Sequence, residues 1–459
     1  MLYNRCEELR RSRLNNSKFV RIADAIEKRI DNGEYEANTK LPTHRQLADE
    51  LKTTPATVAK AYKLLSDKGR LESYVGKGTF VATHSDLNEA IKVVNEDASY
   101  NFSLLQPCLY KNIPAVKSAY RKASDHLTET LIGYCEDSGH EKHREAAVKW
   151  AQQYGLEGGN IHNTVLTNGA QHALSLLIET LTDPGDTILV ESLTYPGILA
   201  IANLTNRSVV GVDLDEHGLC PSALERAIQQ HSPALIIVIP CHQNPTGALM
   251  PEVRKKEIAQ IINQHQVWLV EDDIYCFLDE RPIPPIANFA PDYTFHVTAL
   301  SKAISPAMRC GFIKAPDSQI ALLNAHIRAN TWMSPPINYI AATLLIESGE
   351  AFTLASVQRE IASSRQKIAR EIFSLNGVNS TSYHIWLPLP QHWQQDRFTM
   401  EAKNRGLIVT SGSYFSVDGY STKHIRLSLT SIGQEGKLIE GLKQIRELLD
   451  ASPNSFMPF

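Results

Sequence analysis

The sequence contains few cysteines and no pair of them at a spacing that binds metal. Seven cysteines are scattered over 459 residues, and no two of them form a C-x-x-C motif. The histidines also lack metal-ligand spacing. This usage is typical of reduced thiols in a cytoplasmic protein and argues against a disulfide framework. We therefore expect no bound metal.

Long apolar runs are absent as well. No stretch of eighteen consecutive apolar residues occurs, so the sequence predicts no helix that spans a membrane. Residues 1–14 carry arginines but no apolar core of a signal peptide, which argues against secretion. A hydrophobic content of 43% then predicts a globular cytoplasmic protein of two or three domains.

Positive charge is in deficit over most of the chain but not at its start. Residues 1–83 hold 16 Lys and Arg against 11 Asp and Glu, whereas the remaining residues hold 30 against 39. A basic segment followed by an acidic one favours contact between the first segment and a polyanion. Chance variation over a short segment would give the same asymmetry, so charge alone does not decide.

The basic segment has the pattern of a winged helix-turn-helix. Apolar residues at positions 19, 22, 23, 26 and 30 predict one face of a first helix. Thr43 is placed as the N-cap of a second helix, and Thr54 followed by Pro55 begins a third that ends before Gly69. Two short alternating segments around Gly76-Lys77-Gly78 predict a β-hairpin.

Residues 18–82 resemble the GntR family of bacterial regulators, through the segments LPTHRQLADEL, TVAKAYKLL and GKGTFV. The resemblance implies binding to a double-stranded DNA operator, with the third helix in the major groove. The expected DNA contacts are Arg45, Thr54, Thr57, Lys60 and Lys77. Family members commonly carry arginine at the position of Pro55, so the operator sequence does not follow. A winged helix that contacts protein instead of DNA is the alternative.

The predicted domains are residues 1–83, which bind DNA, and residues 100–459, joined by a linker of residues 84–99. The linker is acidic and contains neither glycine nor proline, and its weak helical pattern predicts a tether. In the body, apolar strand-like runs alternate with amphipathic helical patterns, as in an α/β domain with a mostly parallel sheet. After about residue 330 the pattern predicts a second, smaller α+β lobe. The predicted strands of the main sheet are Thr164–Thr167, Thr187–Glu191, Ser208–Val212, Ala234–Ile239, Val267–Asp272, Thr294–Leu300 and Gly311–Ala315.

Polar residues follow five of these strands, at the sheet edge where such domains bind ligands. Together they suit pyridoxal 5′-phosphate (PLP). Lys302 would form the Schiff base, and Asp272 would face the pyridine nitrogen. Asn244 and Tyr275 would donate to the ring oxygen, and Tyr195 would stack on the ring. The residues expected to hold the phosphate are Gly169, Ala170, Gln171, Ser301 and Arg309.

Residues 100–430 resemble fold-type I aminotransferases through NPTG at 244–247, D-x-x-Y at 272–275, Ser301-Lys302 with Arg309, and RLSL at 426–429. The resemblance implies catalytic roles for Lys302, Asp272 and Tyr275. It implies that Arg426 binds a substrate or effector carboxylate. It also implies that Tyr134 reaches the phosphate from the partner subunit of a homodimer. The family often carries hydroxyl residues at the positions of Ala170 and Ala299, so PLP is expected to bind more loosely here.

A GntR-type head on an aminotransferase-like body resembles the MocR subfamily of bacterial regulators over almost the entire chain. The resemblance implies a regulator that senses PLP or an amino compound through Lys302. A working aminotransferase that carries a DNA-binding head is the competing hypothesis, since the chemical residues are retained. A sensor that responds only to PLP is a third.

Overall fold

The computed structural model describes residues 18–31, 34–35, 39–67, 70–74, 78–81, 100–134, 138–375, 380–419 and 422–451. The chain divides into two compact units, residues 1–92 and 93–459. The predicted linker, residues 84–99, lies outside the described residues, as do Gly69 and the hairpin tip at 76–77.

The first unit has the three helices and the two-stranded hairpin predicted for a winged helix-turn-helix. Its elements are α1 Lys18–Asp31, α2 His44–Glu50, α3 Pro55–Asp67, β1 Leu71–Tyr74 and β2 Gly78–Val81, the two strands being antiparallel. Thr43 caps α2 in a capping box with Gln46. The Thr54 hydroxyl accepts the amide of Thr57 at 3.3 Å, which satisfies a free donor at the start of α3.

The core of the first unit follows the predicted apolar face of α1. Ile22, Ala23 and Ile26 are buried, and Phe19 and Ile30 pack at the edge of the same cluster. These side chains meet buried residues of α2, α3 and both strands, which are Leu47, Ala48, Val58, Ala61, Tyr62, Leu65, Leu71 and Val81. The apolar residues of α1, spaced at the helical period of 3.6, therefore form the face that packs against α2 and α3.

The second unit combines fourteen strands and twelve helices among the described residues. Its strands are β3 Tyr100–Asn101, β4 Thr164–Asn168, β5 Thr187–Glu191, β6 Ser208–Val212, β7 Leu214–Asp215, β8 Gly218–Leu219, β9 Leu235–Val238, β10 Trp268–Asp272, β11 Thr294–Ala299, β12 Cys310–Lys314, β13 His384–Pro388, β14 Leu407–Ile408, β15 Thr410–Ser411 and β16 His424–Ser428. Its helices are α4 Leu109–Asp125, α5 Glu129–Ile132, α6 Glu141–Gln153, α7 Ala170–Leu181, α8 Pro196–Leu204, α9 Pro221–His231, α10 Glu252–His265, α11 Ile320–Asn330, α12 Pro336–Glu347, α13 Glu350–Phe373, α14 Gln395–Asn404 and α15 Glu435–Asp450.

The large lobe is built on a seven-stranded sheet of order β4-β12-β11-β10-β9-β5-β6. The strand β12 is antiparallel to both neighbours, and the other pairs are parallel. All seven predicted strands are confirmed, and their ends agree to within one residue. The carboxyl ends of the six parallel strands lie at one edge of the sheet, where residues 300–309 turn from β11 into β12.

The small lobe contains an antiparallel sheet of order β13-β16-β15, whose apolar side chains share one buried cluster with those of α13 and α15. The strand β3, at the start of the unit, also belongs to this lobe, because it pairs with β14. The Phe102 amide continues the pairing by donating to Ile408 O at 2.7 Å. Residues 100–102 therefore tie the beginning of the second unit to its C-terminal lobe, which the sequence pattern does not reveal.

Within the described residues, no single helix is both long and apolar enough to cross a membrane. The helices α12 and α13 pass such a test only as a pair, and the pair is bent by 80°.

Candidate functional site

Lys302 lies in the turn that follows β11, and its side chain is half-buried. Its Nζ donates to Leu105 O at 2.7 Å and lies 5.9 Å from the centroid of the Tyr275 ring. Burial and the neighbouring Arg426 lower the pKa of this amine to about 8, although Asp272 acts in the opposite direction. A substantial share of the amine is therefore neutral near pH 8, as a nucleophilic lysine requires.

Asp272 ends β10 and is only 3% exposed. Its Oδ1 has no hydrogen-bond partner. Burial and the adjacent Asp273 raise the pKa of Asp272 to about 7, with Lys302 opposing them. A buried carboxylate oxygen without a donor suits a cationic N–H group of a ligand.

Arg426, on β16 of the small lobe, reaches the Asn244 loop of the large lobe. Its Nη1 donates to Asn244 Oδ1 at 2.9 Å, and its Nη2 donates to Ser103 O at 2.5 Å and to Thr410 Oγ1 at 3.3 Å. The guanidinium is buried over the ring of Phe415, and its Nε has no partner. Burial lowers the pKa of Arg426 to about 10.

Two tyrosines complete this part of the site. Tyr275 is buried, and burial raises the pKa of its hydroxyl well above the ordinary value. Tyr195 is half-buried, and its pKa is raised by burial and by Asp272 and lowered by Arg426 and Arg309. Since the interaction between charges weakens with distance, these mutual effects indicate that the side chains share one pocket. A Cβ on Gly197 would overlap the Tyr195 ring, so glycine there leaves room for the ring.

The residues predicted to hold a phosphate lie around the N-terminus of α7. Gly169 precedes the helix with a φ of 79°, and a Cβ there would lie 2.7 Å from Arg309 Nη2. Arg309 is exposed, and its Nη2 donates to Asn168 O at 2.8 Å. The helix N-terminus offers the amides of Ala170 and Gln171, and Ser301 is buried in the neighbouring turn.

The alanines at positions 170 and 299 show where the family's hydroxyls are missing. Ala170 is the first residue of α7, and Ala299 is buried at the end of β11. Neither side chain can donate a hydrogen bond. Backbone amides, Arg309 and the hydroxyl of Ser301 remain as donors at this end of the site.

Tyr134 lies at the surface, just after the end of α5. Its side chain is 83% exposed and contacts Trp332, with ring centroids 5.2 Å apart. Large apolar side chains exposed on the same lobe are Tyr110, Ile113, Leu127, Ile132 and Trp332.

The DNA-contact candidates lie on the first unit. Arg45, Thr54 and Lys60 are exposed, and Thr57 is half-buried with its hydroxyl 2.8 Å from that of Thr54. Lys77 lies outside the described residues. Arg45 lies in the first turn of α2, Thr54 directly precedes α3, and Thr57 and Lys60 lie in its first two turns. This is the arrangement expected of a recognition helix and the helix before it.

Sequence reasoning missed the groups that touch Lys302 and Arg426 from outside the motifs. Leu105 and Ser103 contribute backbone carbonyls, for which residue type gives no signal. Tyr383 donates its hydroxyl to Lys302 O at 2.8 Å from the other lobe. In the sequence, Tyr383 is marked only by its position directly before β13. That position does not predict a hydrogen bond to a residue 81 positions away.

These residues fit PLP on structural grounds. The partnerless Asp272 Oδ1 suits the pyridine nitrogen, and the Lys302 amine suits the aldehyde. The amides at the start of α7 with Arg309 suit the phosphate. Among the described residues, no group of three or more His, Cys, Asp or Glu could hold a metal ion, and Cys108, Cys220, Cys241, Cys276 and Cys310 are free.

Comparison with known proteins matches both units. A family model described as "Aminotransferase class I and II" matches residues 101–445, and one described as "Bacterial regulatory proteins, gntR family" matches residues 19–81. The predicted fold classes are confirmed for both. The domain order is that of MocR-type regulators.

Relatives share this order over nearly their full length. The uncharacterized HTH-type transcriptional regulator YdeF of Bacillus subtilis (strain 168) is 28% identical, covering 94% of each chain. The vitamin B6 salvage pathway transcriptional repressor PtsJ of Salmonella typhimurium is 26% identical, covering 90% of this chain and 94% of that protein.

The crystal structure of LysN, an alpha-aminoadipate aminotransferase from Thermus thermophilus, superposes with a TM-score of 0.70. It is 21% identical and covers 84% of this chain and 96% of that one.

Proposed function

We propose a function from two facts: the chain belongs to the aminotransferase class I and II family, and it carries a gntR-family domain ahead of that region. The protein is a DNA-binding transcriptional regulator. Its second unit binds PLP and responds to PLP or to an amino compound. The observation that carries the proposal is the cluster of Lys302, Asp272 and Arg426 at one sheet edge. PtsJ, named as a repressor of vitamin B6 salvage, supports an effector of this chemistry.

The roles of the chain's own residues follow from their environment. PLP, when bound, supplies an electron-withdrawing ring and an aldehyde that captures amines. Lys302 would attach to the cofactor, and the Asp272 carboxylate would hold its ring nitrogen in the protonated form. Tyr275 and Asn244 would donate to the ring oxygen, and Tyr195 would cover one face of the ring.

The phosphate and the effector would be held at opposite sides of this cluster. The residues at the phosphate would be Gly169, Ala170, Gln171, Ser301 and Arg309, with Tyr134 supplied by the second copy in a homodimer. The guanidinium of Arg426 has a buried Nε without a partner, and its planar donors suit the carboxylate of an amino acid.

The first unit would bind a double-stranded DNA operator in the cytoplasm. The helix α3 would enter the major groove, where Thr54, Thr57 and Lys60 reach phosphates or base edges. Arg45 would contact the DNA backbone, and Lys77 would lie at the tip of the wing. The domains would be residues 1–83 and 100–459, connected by residues 84–99.

Transamination is the second candidate function, because Lys302, Asp272, Tyr275 and Arg426 retain the groups that the reaction uses. A sensor of PLP alone would need the buried guanidinium of Arg426 only for its contacts within the protein. An enzyme and a sensor of amino compounds would both use it to bind a carboxylate.

An absorbance experiment tests the proposal. The purified protein is titrated with PLP, then followed over time with amino acids, amines and a keto-acid acceptor, while DNA affinity is measured in parallel. We expect a stable spectral change on adding an amino compound, with a changed DNA affinity and no keto product. Repeated turnover with accumulating product would establish the aminotransferase instead.

Two lysine variants serve as a matched pair for that experiment. Lys302→Met should abolish the visible absorbance of bound PLP. Lys314→Met removes a buried lysine on β12, at the opposite edge of the same sheet, and should leave the spectrum intact. An unchanged spectrum in Lys302→Met would remove Lys302 from the site.

A further inference from the structure

The turn that carries Lys302 has three consecutive backbone carbonyls that accept hydrogen bonds from buried side chains. Tyr383 Oη donates to Lys302 O at 2.8 Å. Asn112 Nδ2 donates to Ala303 O at 3.0 Å and to Ile304 O at 2.8 Å. Since residues 301–304 form a turn and not a regular helix, these side chains replace the backbone donors that a helix would supply.

Asn112 is itself fixed in orientation. It is 1% exposed on α4, and its Oδ1 accepts from Gln358 Nε2 of α13 at 2.9 Å. Gln358 is fully buried and is held in turn by the backbone of Cys108, through 2.8 Å and 3.3 Å hydrogen bonds. The amide of Asn112 therefore has one favoured assignment, with its nitrogen toward the lysine turn.

Tyr383 reaches the same turn from the small lobe. The Leu429 amide donates to Tyr383 O at 2.7 Å, and Gln366 Nε2 donates to the carbonyls of Ser382 and His384, on either side of it. The ring packs edge-on against Tyr275, with centroids 6.1 Å apart. The tyrosine thus contacts both the backbone that presents Lys302 and a ring that lies beside its amine.

We propose that Asn112 and Tyr383 are positioning residues that fix the turn at 302–304 and thereby hold the Lys302 amine inside the pocket beside Asp272. They act through the backbone and have no need to touch a ligand. Tyr383 adds a consequence for regulation: a movement of the small lobe shifts the carbonyl of Lys302 directly. The inference rests on the proposed role of Lys302.

The environment of the Lys302 amine can be measured without any cofactor, through the pH at which the amine titrates. Trace acetylation with acetic anhydride at a series of pH values, read by peptide mass spectrometry, gives the titration midpoint of Lys302. If the turn loosens, the amine gains water and moves away from Arg426. Its midpoint should then rise by about one pH unit, which lowers the neutral fraction near pH 7 about tenfold.

Tyr383→Phe removes one hydroxyl and keeps the ring, and Asn112→Ala removes the other donor by an independent route. Tyr120→Phe is the matched control, since its hydroxyl bonds Asn338 Oδ1 at 3.1 Å and does not reach the lysine turn. We expect the midpoint to rise in the first two variants and to stay constant in the control. Should Tyr383→Phe fail to fold, Asn112→Ala decides alone.

Unchanged midpoints in the two variants, or an equal rise in the control, would overturn the proposal. Melting temperatures are recorded for all three variants, because a purely structural role would lower stability without moving the titration of Lys302. Failure of the proposed role of Lys302 has a different signature, since PLP would then not attach to Lys302 in the unmutated protein. The acetylation result is independent of that outcome.

Discussion

At the scale of single residues, burial disfavours the charged forms of the two ionisable side chains at the centre of the pocket, Asp272 and Lys302. Burial and Asp273 raise the pKa of Asp272 to about 7, whereas burial and Arg426 lower the pKa of Lys302 to about 8. Both shifts disfavour the charged forms in the protein alone. Binding of a ligand that offers a cationic N–H to Asp272 and an electrophile to Lys302 relieves both costs, so the pocket favours that ligand.

Asp272→Asn should make the cofactor-free second unit more stable at pH 8 while weakening PLP binding at least tenfold. Between about pH 4 and pH 7 the folded state keeps a proton on Asp272 that the unfolded chain has lost, so the contribution of Asp272 to wild-type stability falls as the pH rises through this window. Asparagine removes this contribution, with a gain at pH 8 of at most about 4 kcal/mol. Urea unfolding at pH 5 and pH 8 gives the change in the free energy of unfolding with pH for each protein. An equal change in the wild type and in Asp272→Asn would contradict the prediction.

PLP capture by Lys302 should accelerate with pH, reach half of its maximal rate near pH 8 and level off about one pH unit higher. Only the neutral amine attacks an aldehyde, and the lowered pKa makes neutral amine dominant above about pH 8. A lysine of ordinary pKa, about 10.5, would instead show a rate that climbs through pH 9 and 10. Stopped-flow absorbance from pH 6 to pH 10 distinguishes the two profiles.

At the scale of elements, the strands were predictable because each is a short apolar run with polar residues at its end. The run Thr187–Glu191, for example, is buried at four of its five positions and cannot be mistaken for an amphipathic helix. The sheet order was not predictable, since β12 inserts antiparallel between β4 and β11. That insertion brings Arg309 next to Gly169, although the two residues are far apart in the sequence.

The same distinction applies to the site. Lys302, Asp272, Asn244 and Tyr275 follow strands, and this placement together with their residue types is enough to predict a cluster. The donors that hold the lysine turn are different. Asn112 lies within an ordinary-looking helix, and its function depends on a contact 191 residues away. Local pattern carries no information on such a contact.

Gly311→Ala should destabilise the second unit by about 1–3 kcal/mol and weaken PLP binding. A Cβ at this position of β12 would lie 2.6 Å from the backbone of Gly169 and 2.7 Å from Thr167 Oγ1. Backbone cannot yield there without moving the start of α7, where the phosphate is expected. Gly436→Ala, in α15 with open space around its Cβ position, is the control and should be neutral or slightly stabilising. Equal stability of the two variants in thermal melts would argue against a tight β4–β12 junction.

Lys60→Ala should weaken DNA binding and lower the slope of log K against log salt by about one. Lys60 is exposed in the first half of α3, the expected recognition helix. Lys28→Ala removes the same charge from the exposed surface of α1 and serves as the control. If the two variants reduce the slope equally, the effect is one of net charge, and α3 is not the helix on the phosphates.

At the scale of the whole molecule, one chain joins a gntR-family domain to an aminotransferase-like unit that carries the proposed ligand site. The start of the second unit is built into the small lobe through β3, and Arg426 of that lobe contacts Asn244 of the large one. A ligand that engages Arg426 therefore acts on the lobe to which residues 100–102 are attached. Those residues directly follow the predicted linker, so a covalent route from the proposed effector site to the gntR-family domain passes through β3.

Arg426→Ala should separate two kinds of sensor. If amino compounds are the effector, the variant keeps the spectrum of bound PLP but loses the response of DNA affinity to added amino acid, because the two-donor fork for the carboxylate is gone. Arg426→Lys keeps a charge without the fork and should recover only part of the response. DNA affinity measured with and without PLP, and then with amino acid, gives both readings for each variant. A response that survives in Arg426→Ala would mean that PLP alone is sensed, and that the buried guanidinium serves the contact between the Asn244 loop and the small lobe.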